Sequence, residues 1–136
     1  IDNDGVILDL TNENGHGLLI TASEARLVTS DNKTVSTKFK AEEHNRISFV
    51  INRRESGNNA GFVFIYVNGI LSGAAEYSNT ATIRSTKNIV FNGSSDVLLK
   101  QIAIYDKPLS SDEILNNYIL YRDSISEMLS IYNRNN

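Results

Sequence analysis

The sequence predicts an all-β domain, a sandwich or barrel of antiparallel strands followed by a carboxy-terminal helix. About ten short apolar runs recur at near-regular spacing, and turn-forming residues separate them, which predicts the strands. After Pro108, the only proline of the chain, the apolar residues recur every three or four positions instead of every second position, and this change predicts the helix.

The clearest strand signal is the segment 62–73, in which two apolar runs meet at Asn68-Gly69. Asn-Gly between two such runs predicts a β-hairpin, because a type I′ turn requires a positive φ at both central residues. From Phe62 to Val67, aromatic residues alternate with β-branched residues, so both faces of this strand are apolar. We therefore expect a central strand that is covered on both sides.

The remaining strands are predicted from shorter runs of the same kind. The return strand of the hairpin is expected to continue to Tyr77. The others, in chain order, are expected at residues 6–10, 17–21, 26–29, 34–39, 46–53, 81–84, 88–91 and 97–105.

A capping box marks the start of the helix. In Ser110-Ser111-Asp112-Glu113, a serine oxygen can accept a free backbone N–H while Glu113 reaches back to the cap. The sequence therefore predicts a helix from about Asp112.

The apolar residues of this helix follow a heptad spacing of 4, 3, 4, 3 and 4. They are Ile114, Tyr118, Tyr121, Ile125, Met128 and Tyr132. One interpretation is an amphipathic helix whose first two turns lie on the sandwich. The other is that residues beyond about Arg122 leave the domain and form a connector or an oligomer seam. A coiled-coil prediction requires three or four heptads, and this helix has fewer.

Composition excludes several classes of protein. The 136 residues suffice for one domain with its own core. With a net charge of −3 and scattered basic residues, the chain lacks the cationic stripe that nucleic-acid binding requires. It has no cysteine, so it can form neither disulfides nor thiolate zinc sites. Its apolar runs are too short to predict membrane insertion.

The chain begins at Ile1, and its single methionine is Met128. We therefore expect this sequence to be a piece of a larger protein.

Two segments together resemble laminin-G-like domains of the concanavalin A-like lectin/glucanase superfamily. One is Tyr66-Val67-Asn68-Gly69, and the other runs from Ile102-Ala103-Ile104-Tyr105 through Pro108-Leu109-Ser110 to Glu113-Ile114. The resemblance covers about residues 4–121. It implies an antiparallel jelly-roll sandwich over residues 1–121 and a helix over residues 112–134 that is partly packed on it.

The chain departs from the family pattern in two places. Lys100 stands where members often carry an acidic residue, so the sequence does not support a calcium site there. The tryptophan that is frequent in the first strand is missing as well. Oxygen ligands for calcium also occur at Asp2, Asn3, Asp4 and Asp9, but without the full loop pattern, and turn formation is the preferred interpretation.

No catalytic constellation is found, and we expect neither enzymatic activity nor a cofactor. The glycosidases of this superfamily carry paired carboxylates along one strand, whereas Glu42 and Glu43 are adjacent and would point to opposite faces. His16 and His44 are isolated in turn regions, so neither has the partners of a catalytic base.

Sugar binding uses an aromatic face together with amide, carboxylate or guanidinium groups on loops. The candidates for such a site lie in the loop before the central strand and in the region after the hairpin. They are Arg53, Arg54, Asn58, Asn59, Tyr77, Asn79 and Arg84.

Domains of the resembled type occur in secreted glycan-active enzymes, bacterial surface proteins and phage tail or appendage proteins. We therefore expect a non-catalytic recognition module of a larger protein, located in a virion or at the cell surface, that binds host-surface glycan. The alternative is a structural domain that assembles or caps the parent protein through its helix, with a homo-oligomer as one outcome.

Overall fold

The structure, a computed structural model, describes residues 5–40, 44–52, 61–77, 90–91, 101, 103–105 and 107–135. Within these residues the chain forms β-strands and one α-helix. The strands are β1 (Val6–Thr11), β2 (Gly17–Thr21), β3 (Glu24–Val28), β4 (Thr34–Lys38), β5 (Ile47–Asn52), β6 (Gly61–Val67), β7 (Ile70–Tyr77) and β8 (Val90–Phe91). The helix is α1 (Ser111–Asn135).

The strands form two antiparallel sheets. The first sheet has the order β4-β3-β2-β1-β8, in which the two described residues of β8 pair with β1. The second sheet has the order β5-β6-β7. The chain is thus mostly β, with two antiparallel sheets and a carboxy-terminal helix, which confirms the predicted class at this level.

Most predicted strands occur within one or two residues of their expected positions, and β2 matches its predicted range. Residues 81–84 and most of 88–91 and 97–105 lie outside the described residues. At Gln101 and residues 103–105, which are described, no strand forms, so the closing strand predicted over 97–105 is wrong at these positions. The physical reason is that Ile104 is 79% exposed and Tyr105 is 50% exposed, so neither is buried in a sheet face.

The hairpin between β6 and β7 has the predicted turn. Asn68 has φ 53° and Gly69 has φ 79°, the two positive values that a type I′ turn requires. The turn is also tied to the residues before β5. The backbone N–H of Arg46 donates to Oδ1 of Asn68 at 2.8 Å, and the N–H of Asn68 donates to the carbonyl of Arg46 at 2.8 Å.

The two sheets enclose a core built from one face of each. Its buried members are Leu27, Val35, Val63, Ile65 and Tyr77. At one side β7 lies close to β4, because a Cβ placed on Gly73 would be 3.0 Å from Cγ2 of Val35. Gly73 therefore permits this close approach of the two sheets.

The helix packs on the outer face of the second sheet. Ile114, 3% exposed, forms a cluster with Val50 and Tyr66, and Phe64 and Leu109 pack at its margin. Since Val63 and Ile65 point into the core between the sheets, β6 is covered on both sides at its Tyr66 end, as the alternation predicts.

The helix also contacts the hairpin turn. A Cβ on Gly69 would lie 3.0 Å from Cδ1 of Leu115 and 3.1 Å from Cδ1 of Tyr118. One turn further along α1, the guanidinium of Arg46 lies 5.6 Å from the ring centroid of Tyr121. The docked part of α1 thus extends at least from Ile114 to Tyr121.

This packing predicts different costs for two glycine substitutions. Gly15 and Gly69 have nearly equal φ values of 77° and 79°, but a Cβ on Gly15 would meet nothing within 4 Å. Gly15→Ala should cost about 1 kcal/mol of unfolding free energy through backbone strain alone. Gly69→Ala should cost about 1 kcal/mol more, because Leu115 and Tyr118 must also shift.

Denaturant unfolding of the two variants beside the unchanged chain measures this difference. If Gly15→Ala and Gly69→Ala lost the same unfolding free energy, the close contact of α1 with Gly69 would be contradicted.

Candidate functional site

The outer face of the second sheet carries three rows of residues aligned by strand pairing. From the open end toward the hairpin turn, the rows are Asn52–Phe62–Glu76, Val50–Phe64–Ala74 and Ser48–Tyr66–Leu71. Because side chains alternate along a strand, all of them lie on the face that α1 covers at Tyr66. The helix cluster includes Tyr66 and Val50, whereas Phe62 belongs to neither core cluster.

Phe62 and Phe64 form an aromatic pair on this face. Their ring centroids are 6.0 Å apart and their planes differ by 14°. Both residues are half-buried. The two rings are thus stacked and give this face an aromatic, apolar patch.

A cleft of about 320 Å³ opens between this face and the start of the helix. Val50, Phe64 and Tyr66 contribute apolar surface from the sheet. Polar groups come from both sides: Asn52 from the end of β5, and Ser110, Ser111 and Glu113 from the start of α1. Pro108 and Leu109 complete the lining. The lining of the cleft thus combines apolar residues with nearly as many polar ones.

The predicted capping box is present at the edge of this cleft. Oγ of Ser110 accepts the backbone N–H of Glu113 at 3.2 Å, and Oε1 of Glu113 accepts the backbone N–H of Ser110 at 3.2 Å. The hydrogen bond from the Ser110 backbone, with a smaller contribution from its side chain and from the charge of Lys107, lowers the pKa of Glu113. The cleft therefore has a carboxylate at its rim at neutral pH.

Most of the site residues predicted from the sequence lie outside the described residues. These are Arg53, Arg54, Asn58, Asn59, Asn79 and Arg84. Tyr77 is described and is 3% exposed, in the core between the two sheets. A residue that stacks on a sugar presents an open ring face, which Tyr77 in this position does not.

Sequence reasoning did not single out Phe62 and Phe64 as candidates for a site. Their alternation predicts a strand that is covered on both faces, and among the described residues α1 buries Tyr66 while Phe64 lies at the margin of the cluster. Asn52 and Glu76 lie beside Phe62 on the neighbouring strands. Their position depends on the strand register, which the sequence alone does not give. The signal available in the sequence was the aromatic i, i+2 pair itself.

The metal-ligand candidates have other roles or lie outside the described residues. Asp2, Asn3 and Asp4 are not described. Oδ1 of Asp9 accepts the backbone N–H of Thr11 at 2.9 Å and its hydroxyl at 2.6 Å, a local arrangement. In the described part of the chain, no three His, Asp or Glu residues are grouped so that they could hold a metal ion.

Among the described residues, α1 is not apolar enough over a sufficient length to span a membrane. The chain matches no protein-family model, no curated protein and no solved structure. The laminin-G-like resemblance therefore stays a prediction.

The capping box predicts a pH-dependent contribution to stability. A lowered folded-state pKa means that ionised Glu113 stabilises the fold. This contribution is fully present above the unfolded-state pKa, near 4.5, and is lost as the pH falls through the lower folded-state value. Thermal melts of the unchanged chain and Glu113→Gln between neutral and acidic pH should therefore converge below that window.

The same comparison in a Ser110→Ala background provides the control. The pH-dependent difference should shrink there, because one of the two hydrogen bonds that lower the pKa is removed while the backbone one stays. A stability difference between the unchanged chain and Glu113→Gln that does not vary with pH would refute this role of the cap.

Proposed function

We propose that this chain is a non-catalytic recognition module of a larger extracellular or virion protein and that it binds a host-surface saccharide in the cleft beside α1. The observation that carries the proposal is the half-buried, stacked pair of rings, Phe62 and Phe64, on the outer face of the second sheet, of which Phe64 lines the cleft.

The chemistry of this surface suits a sugar. One face of a pyranose presents C–H groups, which pack on the electron-rich face of an aromatic ring. The hydroxyl groups at the edge of the sugar need both donors and acceptors. Asn52 offers an amide, Ser111 a hydroxyl and Glu113 a carboxylate in the lining of the cleft, together with the Phe64 ring. A ligand that is flat, partly apolar and rich in hydroxyls meets all of these groups.

The electrostatics of the cleft favour binding over hydrolysis. A glycosidase needs a carboxylic acid that stays protonated until it donates to the leaving group, and such an acid has a raised pKa. The pKa of Glu113, the carboxylate in the lining, is lowered. Glu113 is thus prepared to accept hydrogen bonds from a ligand and not to supply a proton.

The fold proposed for this module is a concanavalin A-like jelly roll of the laminin-G-like type. Its support is the pair of segments that carry the resemblance: an Asn-Gly hairpin after Tyr66, and a capped helix that starts after Pro108. The face-to-face packing of two antiparallel sheets agrees with such a fold.

Phe62→Ala tests the proposed site. Phe62 is half-buried and belongs to neither core cluster, so this substitution should cost less stability than one in the core while it removes one ring of the pair. A panel of bacterial-surface oligosaccharides on an array, with and without calcium, identifies a ligand for the unchanged chain. The affinity of Phe62→Ala for that ligand should then fall about tenfold, equivalent to about 1.4 kcal/mol.

Two further variants test whether the loss of affinity is specific to the ring of Phe62. Phe62→Tyr keeps the ring and should retain most of the affinity. Tyr105→Ala removes an exposed ring from a different segment and should have no effect. Full affinity in Phe62→Ala would place the ligand elsewhere, and a panel without any binding at millimolar concentration would refute saccharide recognition.

A further inference from the structure

The charged side chains around the aromatic pair are carboxylates. Glu113 lines the cleft from the start of α1, and Glu76 is paired in register with Phe62 on the same face of the second sheet. Both glutamates are exposed. Among the described residues that line the cleft or form the three rows of this face, none is Lys, Arg or His. These residues therefore favour a ligand with positive charge.

Lys107 lies near this surface without belonging to it. It contributes, after the hydrogen bonds of Ser110, to the lowered pKa of Glu113. Lys107 is exposed and does not line the cleft. The charge of an exposed side chain is screened by salt over about 8 Å, whereas a ligand in the cleft can contact Glu113 directly.

The carboxylate of Glu113 keeps acceptor capacity for a ligand. Its Oε1 accepts the backbone N–H of Ser110 at 3.2 Å as part of the capping box. An ionised carboxylate has about four acceptor positions on its two oxygens, so this hydrogen bond leaves others. The cap also fixes the side chain of Glu113 in place, which reduces the entropy that a ligand would lose by ordering it.

An aromatic ring beside a carboxylate is a combination that recognises an ammonium group. The ring attracts a cation electrostatically, and the ammonium donates hydrogen bonds to the carboxylate. Phe64 and Glu113 both line the cleft. A sugar with a protonated amino group can interact with both residues. A sugar with a carboxylate, sulfate or phosphate group would instead meet the like charge of Glu113.

The face of the second sheet stays open beyond the aromatic pair. On β7, Leu71, Ala74 and Glu76 are exposed, and Ala74 pairs with Phe64. Neighbouring strands lie about 4.8 Å apart, so the backbones at the two ends of the row Asn52–Phe62–Glu76 are about 10 Å apart. A chain of several sugar units can thus lie across the strands, from the cleft at one side to Glu76 at the other.

From these features we propose that the saccharide bound at this face carries free amino groups, which interact as ammonium ions with Glu113 in the cleft and with Glu76 beyond the aromatic pair. The inference rests on the function proposed above and adds the class of sugar. Amino sugars are favoured, and acidic sugars are disfavoured.

Calorimetric titration with a matched pair of ligands tests this inference. A tetrasaccharide of glucosamine and its fully N-acetylated counterpart share their rings and linkages but differ in charge. At mildly acidic pH the amines are protonated, while Glu113, whose pKa is lowered, stays ionised. The glucosamine tetrasaccharide should bind about fivefold more tightly than the N-acetylated one, which is the upper range for an exposed ion pair.

Glutamate variants locate the charge that is responsible. Glu113→Gln keeps an amide oxygen that can accept the Ser110 N–H, and it should lose most of the fivefold preference. The double variant Glu76→Gln/Glu113→Gln should bind both tetrasaccharides equally. Glu127→Gln is the matched control and should keep the full preference, because it removes the same charge from an exposed position about 21 Å further along α1.

Three results would overturn the inference. Equal losses in Glu113→Gln and Glu127→Gln would indicate a general attraction to the net charge of −3. An N-acetylated ligand that binds as tightly as the free amine would contradict the amino-sugar class, as would a glucosamine tetrasaccharide that does not bind while another saccharide does. If the saccharide that binds then loses affinity in Phe62→Ala, recognition at the aromatic pair stands and only the class of sugar is wrong.

Discussion

The contact of the Asn68-Gly69 turn with α1 is the interaction on which the arrangement of this domain depends. A positive φ at both residues closes the hairpin in two residues, and the missing side chain at Gly69 leaves room for Leu115 and Tyr118. At the same time, Oδ1 of Asn68 accepts a hydrogen bond from the backbone N–H of Arg46. One short turn thus joins the central hairpin, the residues before β5 and the helix.

This contact divides the outer face of the second sheet into two parts. Near the turn, Tyr66 and Val50 are buried under Ile114. Away from the turn, Phe62 and Phe64 are only half-buried, and the capped start of α1 forms the opposite wall of the cleft. Aromatic side chains that stay partly exposed stabilise the fold less than fully buried ones would. A surface of this kind is therefore a natural place for a ligand with an apolar face.

The sequence predicted those features that depend on neighbouring residues. The Asn-Gly turn, the range of β2 and the capping box of Ser110 and Glu113 all follow from local backbone preferences and local hydrogen bonds. The features it did not predict depend on distant contacts. Alternation shows that both faces of β6 are apolar, but it cannot show that α1 buries Tyr66 and leaves Phe64 at the margin of their cluster. In the same way, the sequence predicts Tyr77 at the end of the return strand, but it cannot show that Tyr77 is buried in the core between the sheets.

Saccharide binding on the outer face of the second sheet is best tested by an NMR titration of the labelled domain with a saccharide that it binds. We expect the ring signals of Phe62 and Phe64 and the side-chain amide of Asn52 to shift together in proportion to ligand. The signals of Leu27 and Ile65, in the core between the sheets, should stay constant. Shifts confined to residues outside this face, with Phe62 and Phe64 unaffected, would contradict binding at the aromatic pair.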